Sequence, residues 1–169
     1  MLIFSARRFI IGKTVPECEH MDRKLKFSFQ IWGLLLFFLI MLPNFYSFAV
    51  PAPHDIFAVP SVTAGLDTFA SICQVLMVAA LCLLENRQAR PIRLSPWVLA
   101  CLCCCLVYYG GWVLYYHGVT NAAVILDLCI APCLAFGFFA VDRKNWIATV
   151  PLAVFTACHL AYGISNFII

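Results

Sequence analysis

Charged residues are scarce in this chain of 169 residues: aspartate, glutamate, lysine and arginine make up 11% of it, against roughly a quarter of an ordinary soluble domain. The 11 lysine and arginine residues are scattered among apolar runs and form no basic patch of the kind that nucleic-acid-binding modules carry. Hydrophobic residues account for 64% of the chain, and the mean hydropathy is +0.94. This composition excludes a soluble globular protein, a disordered chain and a nucleic-acid partner, and it predicts a multi-span α-helical membrane protein.

Chemical motifs are also lacking. No small-residue cleavage site follows the first apolar run, so the sequence shows no secretory signal. Nine of the 10 cysteines lie inside apolar runs, where cysteine behaves as a small hydrophobe. Redox or metal use is the alternative for Cys101 and Cys104, but a reactive CxxC needs a helix N-terminus and solvent access. We therefore expect no catalytic residue, metal or cofactor, and an enzyme is not the favoured class.

The apolar residues form five runs, at about 27–48, 64–84, 96–116, 120–141 and 146–168. Each run is long enough to cross a bilayer as a helix, which takes about 20 residues. The sequence thus predicts an all-α integral membrane bundle, a single five-helix transmembrane domain over residues 27–169. Pro43 is expected to kink or end the first helix. Residues 1–26 are predicted to form a basic, disordered cytoplasmic tail, whose first 20 residues are either a true tail or an extension upstream of a start at Met21.

The basic residues predict the orientation of the bundle. Arginines occupy the loop 85–95, and the turn 142–145 carries an arginine and a lysine, whereas the connections 49–63 and 117–119 carry neither residue type. With the tail included, all 11 basic residues fall on one side. The positive-inside rule then places the N-terminus in the cytoplasm and the C-terminus outside, in the cell membrane. Trp32, Trp97 and the tyrosines of the third run lie mostly near run ends, as interfacial aromatic belts do.

Three ionisable residues, Asp67, Asp127 and His159, lie within the runs. At 1.5 Å per residue they lie roughly 6, 10 and 14 Å from the outer ends of their helices. All are therefore expected in the outer half of the bilayer, converging on one outward-facing polar pocket. Gln74 shares a helical face with Asp67, and Asn166 shares one with His159. An intramembrane ionisable residue is costly and marks a functional site by default.

The leading hypothesis is an Asp127–His159 pair that binds or moves a small solute, a cation or a proton, with Asp67, Gln74 and Asn166 close by. The alternative is that the pair only hydrogen-bonds and fixes the register of the helices. Asp67 has its own alternative role at the start of a helix, where acidic side chains complement the dipole. The Pro-rich segment 51–60 is either a lid over the pocket or a plain connector.

Two further function classes stay open. The first is a structural or accessory subunit of a larger membrane complex, which predicts that the ionisable residues pair internally and leave no cavity. The second is an intramembrane lipid-modifying enzyme, although one histidine and two aspartates are few for metal-dependent phosphate chemistry. Membrane lipids are the expected partners. A homo-oligomer is a further possibility, because five spans do not divide into two equal inverted halves.

The stretches IWGLLLFFLIMLPNFYSFAVPAPHDI, LDTFASICQVLMVAALC and FFAVDRKNWIATVP resemble small five-span integral membrane proteins of Gram-positive bacteria. The resemblance covers about residues 21–169 and implies a bacterial multi-pass membrane protein. It brings no functional residues with it. The tryptophan-rich sensory protein, or translocator protein, group has a similar size and number of spans. The present chain lacks the tryptophan-rich, proline-paired loop of that group.

Overall fold

The structure, a computed structural model, describes residues 25–58 and 60–168. These residues contain five helices long and apolar enough to span a membrane, which confirms the predicted all-α class and number of spans. In chain order the helices are α1 (Ile31–Ala49), α2 (Ala64–Leu83), α3 (Pro96–Tyr116), α4 (Ala122–Asp142) and α5 (Trp146–Phe167). A short 3₁₀ turn (Ile56–Ala58) lies between α1 and α2. Two strands, β1 (Leu25–Phe27) and β2 (Leu84–Asn86), pair as an antiparallel ribbon.

The ribbon corrects the predicted boundary of the N-terminal tail. Residues 25 and 26, which the sequence assigns to a disordered tail, lie in β1 and pair with Asn86 and Glu85. Lys26 donates a hydrogen bond to the Glu85 carboxylate across 2.7 Å, which holds the pKa of that carboxyl below its usual value. Because the ribbon takes up residues 25–27, α1 begins at Ile31 and not at residue 27. The rest of the predicted tail, Met21 included, lies outside the described residues.

Helix α4 lies at the centre of the bundle. In its most apolar stretch 61% of the residues are buried, against 17% to 33% in the other helices. Helices α3 and α5 pack against α4, α2 packs mainly against α5, and α1 packs less extensively against α2, α3 and α4. The buried Ala131 and Ala135 let the neighbouring helices approach closely, as small residues do in membrane bundles. Gly163 of α5 serves the same purpose, because a Cβ there would lie 2.6 Å from the Cys129 sulfur.

Tyrosines of α3 attach α1 to the bundle. Pro43 lies inside α1 without ending it, and it lacks the N–H that would bond to the Leu39 carbonyl one turn earlier. The Tyr109 hydroxyl donates to that carbonyl across 2.6 Å. Tyr108 and Tyr115 are only 3% and 1% exposed, so they pack inside the bundle. The helix therefore continues through Pro43 because a neighbouring helix supplies the missing donor.

We expect Tyr109→Phe to destabilise the protein by about 1–2 kcal/mol, because it leaves the Leu39 carbonyl unsatisfied in a membrane without water. The free energy of unfolding, measured by titration with a denaturing detergent, tests this. Tyr46→Phe is the matched control, because Tyr46 lies on α1 with 55% of its surface exposed. Equal stability of the two variants would contradict the role given to Tyr109.

The two basic connections meet at one end of the bundle, here called the basic end. The Asn86 side chain donates to the Lys144 carbonyl across 2.9 Å. The Arg143 guanidinium pairs with Asp142 and donates to the Arg90 carbonyl across 2.8 Å. The loop after β2 and the turn between α4 and α5 thus form one hydrogen-bonded surface. This agrees with the predicted clustering of basic residues on one side, while the side of the membrane on which that end lies stays a prediction.

Asn145 joins three elements at the basic end. Its side chain is 1% exposed and accepts a hydrogen bond from the Ala148 N–H, which caps α5. Its amide nitrogen donates to the carbonyls of Ala80 and Leu84, across 2.8 and 3.0 Å. These carbonyls belong to the last turn of α2 and to the residue after it. The Ala80 carbonyl also accepts from the Leu84 N–H, so Asn145 adds a second donor there. One buried side chain therefore fixes the end of α2 against the start of α5.

Candidate functional site

A cavity of about 450 Å³ lies between the five helices, and all five contribute to its wall. We call it the central cavity. Its polar wall includes Asp67, Gln74 and His159, three of the five residues that the sequence predicts as a site. Among the described wall residues Asp67 carries the one carboxylate, and none is a lysine or arginine. The fixed charges of the wall are therefore suited to a cation and not to an anion.

Helix α2 supplies the polar side of the cavity. Asp67, Ser71 and Gln74 recur at intervals of four and three residues, so they lie along one face of the helix, and all line the wall. Asp67 lies in the first turn of α2, where the helix dipole favours a negative charge. Neither ion pair found among the described residues involves its carboxylate. Asp67 thus combines the two roles that the sequence leaves open, at a helix start and at a cavity.

Helix α5 faces α2 across the cavity with a row of stacked rings. The His159 imidazole stacks on Phe155, with ring centroids 5.0 Å apart, and on Tyr162, at 6.2 Å. Asp67 lines the same cavity as His159 and Tyr162. The Asp67 carboxylate and the imidazole are nevertheless not in ion-pair contact. The space between them is part of the central cavity.

The predicted Asp127–His159 pair does not form. Asp127 is not among the wall residues, although Leu128 and Cys129 are, because successive residues of a helix point about 100° apart. Its carboxylate instead lies against Gly111 of α3, where a Cβ would overlap it. The absence of a side chain at Gly111 is what makes room for Asp127 between α3 and α4. The histidine therefore faces the other intramembrane aspartate, Asp67.

Asn166 lies beyond the cavity and holds its end together. The Asn166 side chain accepts from the Val62 N–H across 2.8 Å and donates to the Thr63 hydroxyl across 2.8 Å. Asn166 also donates to the Tyr162 carbonyl of its own helix. The sequence predicts Asn166 as a wall residue near His159. Its side chain instead joins the end of α5 to the start of α2. Asn166 positions these helices and does not line the cavity.

The Pro-rich segment covers the end of the cavity opposite the basic end. Phe57, in the 3₁₀ turn, lines the cavity, stacks on Tyr115 and meets Phe167 edge to face, with ring centroids 4.9 Å apart in both pairs. The Asp55 carboxylate holds the turn by accepting from the Tyr115 hydroxyl at 2.7 Å and from the Phe57 N–H at 3.0 Å. The segment therefore contributes Phe57 to the cavity wall, and the choice between a lid and a plain connector stays open.

The aromatic wall of the cavity was not predicted from the sequence. Besides Phe57, Phe155 and Tyr162, the aromatic wall residues are Phe48, Tyr108, Trp112 and Phe167. In the sequence, the stripe of α3 that contains Tyr108 is as well explained by helix packing as by a binding site. Apolar aromatic residues show no sequence pattern that distinguishes the wall of a cavity from a packed core. Asn44 was the stronger signal, because it is the one amide side chain within α1. Its side chain donates to the Tyr108 hydroxyl across 2.7 Å, beside the Trp112 indole, whose N–H has no hydrogen-bond partner among the described residues.

Metal and cysteine chemistry gain no support from the geometry. In the described ranges, no three histidine, cysteine, aspartate or glutamate residues lie together in a way that could hold a metal ion. The nine cysteines of these ranges are not in disulfides, and Cys101 is buried.

Comparisons of the chain with protein-family models, curated proteins and solved structures found no match.

Proposed function

We propose that this protein is a membrane protein that binds a small organic cation in the central cavity and exchanges it with the outer face of the cell membrane. The observation that carries the proposal is the composition of the wall: one carboxylate, from Asp67, among aromatic rings and without a lysine or arginine. The sequence suggests a small solute, a cation or a proton as the ligand, and the composition of the wall favours the cation.

The aromatic wall favours an organic cation over a metal ion. A metal ion requires several oxygen, nitrogen or sulfur ligands close together, and the described residues offer no such group. An organic ammonium group is held differently, by the faces of aromatic rings within about 6 Å and by a carboxylate at longer range. Trp112 and Tyr108, which bind such groups best, both line the cavity.

The orientation inferred from the positive-inside rule opens the cavity to the outside. Asp67 lies in the first turn of α2, at the end of the bundle opposite the basic loops. If the basic end is cytoplasmic, Asp67 and the Phe57 lid face the exterior. Displacement of the lid, held by the Asp55–Tyr115 hydrogen bond, would then admit the ligand.

Choline and 3,3-dimethylbutan-1-ol provide the sharpest test, because they differ only in a charged nitrogen in place of a carbon. We expect the purified protein to bind choline in isothermal titration calorimetry at least about tenfold more tightly than the neutral alcohol, a difference of about 1.4 kcal/mol. Tryptophan fluorescence should change on binding in Trp97→Phe and not in Trp112→Phe, because Trp112 lines the cavity and Trp97 does not.

Equal affinity for the two compounds would overturn the cationic ligand. A fluorescence change that persists in Trp112→Phe would place binding elsewhere.

Of the two alternatives, an accessory subunit required ionisable residues that pair internally without a cavity, and the cavity at His159 weighs against it. A lipid-modifying enzyme gains no support from the described residues, which bring no cluster of metal-binding side chains together.

A further inference from the structure

A second, larger concavity of about 880 Å³ lies on the outside of the bundle, between α2 and α5. We call it the α2–α5 groove. It uses the opposite face of α2 from the central cavity, since Phe69, Ile72 and Leu76 line the groove while Asp67, Ser71 and Gln74 line the cavity. At 100° per residue the two sets point in roughly opposite directions. The groove is therefore independent of the proposed cation site.

The long walls of the groove are apolar. On α2 they run from Phe69 to Ala80, a length of roughly 16 Å along the helix. On α5 they include Ile147, Val150 and Val154. Val150 is 67% exposed, so the groove opens towards the surroundings of the bundle. Its shape and chemistry suit an extended hydrocarbon chain.

The groove ends at a single cationic side chain. Lys144 lines its basic end together with Asn86 and Gln88, and no aspartate or glutamate is among the described lining residues. Two of the neighbouring basic groups are already paired, since Lys26 binds Glu85 and Arg143 binds Asp142. Arg87 is in neither pair, but it is not among the lining residues of the groove. Neither of these ion pairs involves the Lys144 ammonium. Charge at one end and apolar walls along the rest match a molecule with an anionic head and a hydrocarbon tail.

Lys144 is held in a fixed position at the groove. Its backbone has φ 51°, a left-handed turn conformation that reverses the chain between α4 and α5. The buried Asn86 donates to its carbonyl, and the next residue, Asn145, is fixed against the end of α2. Trp146 also lines the groove near Lys144. Tryptophan is enriched in the lipid headgroup region, which is consistent with a headgroup at this end of the groove. The backbone that carries the Lys144 ammonium is thus fixed beside the groove.

We infer that the α2–α5 groove binds one anionic phospholipid, with an acyl chain along α2 and α5 and the phosphate group at Lys144. Basic residues near the surface attract anionic lipids by about 1 kcal/mol each. We therefore expect a preference for phosphatidylglycerol over phosphatidylcholine of about fivefold from this one residue.

The test reconstitutes the protein in vesicles of equal phosphatidylglycerol and phosphatidylcholine, extracts it in mild detergent and counts retained lipids by native mass spectrometry. We expect Lys144→Gln to abolish the preference and Lys144→Arg to keep it. Arg93→Gln is the matched control, because it removes the same charge from the same end of the bundle outside the groove lining. Val150→Trp should reduce retention of both lipids by filling the groove, and Ile72→Trp is a second variant of that kind.

Three results would overturn the inference. The first is equal retention of the two lipids by the unaltered protein. The second is an equal loss of preference in Lys144→Gln and Arg93→Gln, which would indicate diffuse surface charge. The third is a dimer mass that Val150→Trp converts to a monomer, which would assign the groove to a second copy of the chain. Circular dichroism spectra and elution volumes equal to those of the unaltered protein show that the variants are folded, independently of the proposed cation site.

Discussion

Asp67→Asn is expected to weaken binding of choline to the central cavity by roughly 10- to 100-fold. The substitution keeps the size of the side chain and removes the one carboxylate of the described wall. Interactions with a charged group in a partly buried site contribute about 1.5–3 kcal/mol, and each 1.4 kcal/mol is a factor of ten in affinity. Calorimetric titration of choline against both proteins measures the change directly.

Asp127→Asn is the matched control, since it makes the same chemical change in the other intramembrane aspartate. Asp127 lies against Gly111 and does not line the cavity, so we expect choline affinity to change less than about threefold, or roughly 0.6 kcal/mol. The sequence alone favours the reverse result, because it pairs Asp127 with His159. A larger loss in Asp127→Asn than in Asp67→Asn would therefore reject the cavity as the binding site and restore the pairing that the sequence suggests.

Asn145→Ala is expected to lower the free energy of unfolding by about 2–4 kcal/mol. The change removes the two hydrogen bonds that the Asn145 amide nitrogen donates to the Ala80 and Leu84 carbonyls in a buried place, at about 1–3 kcal/mol. It also removes the N-cap of α5, which is worth about 1 kcal/mol. Unfolding by titration with a denaturing detergent, followed by circular dichroism, gives the value.

Asn121→Ala separates these two contributions. Asn121 caps α4 by accepting from the Val124 N–H at 3.0 Å, but it is exposed and serves no second helix through its amide nitrogen. We expect this variant to lose about 1 kcal/mol, the contribution of the cap alone. If both asparagine variants lose the same free energy of unfolding, the hydrogen bonds from Asn145 to the end of α2 contribute nothing to stability.

The spans were predictable from sequence because membrane insertion acts on each segment separately. A run of about 20 apolar residues satisfies its backbone only as a helix, whatever its neighbours are. The predicted run 96–116 has the same limits as α3, and the run 64–84 differs from α2 by one residue. The β1–β2 ribbon was missed because its partners are some 60 residues apart in the chain, and Leu25 and Lys26 carry no local strand pattern.

The candidate site was only half predictable. The spacing of Asp67, Ser71 and Gln74 on one helix identifies a polar face, because helical periodicity is a local property. The partner of that face depends on how each helix is rotated about its axis, which the sequence does not reveal. Helix α4 turns Asp127 towards Gly111, where α3 has no side chain, and helix α5 turns His159 towards Asp67.

The amino-acid sequence by itself thus determined that the chain is a membrane bundle of five helices, that its basic connections share one side, and that few ionisable residues lie inside it. These features follow from the hydrophobic effect and from backbone hydrogen bonding, which act within each segment. Only the tertiary structure decided which aspartate faces the histidine, that aromatic rings enclose the cavity, and that Lys144 lies at the end of a groove. Those features depend on the packing of small residues between helices, which is a property of pairs of segments and not of any one of them.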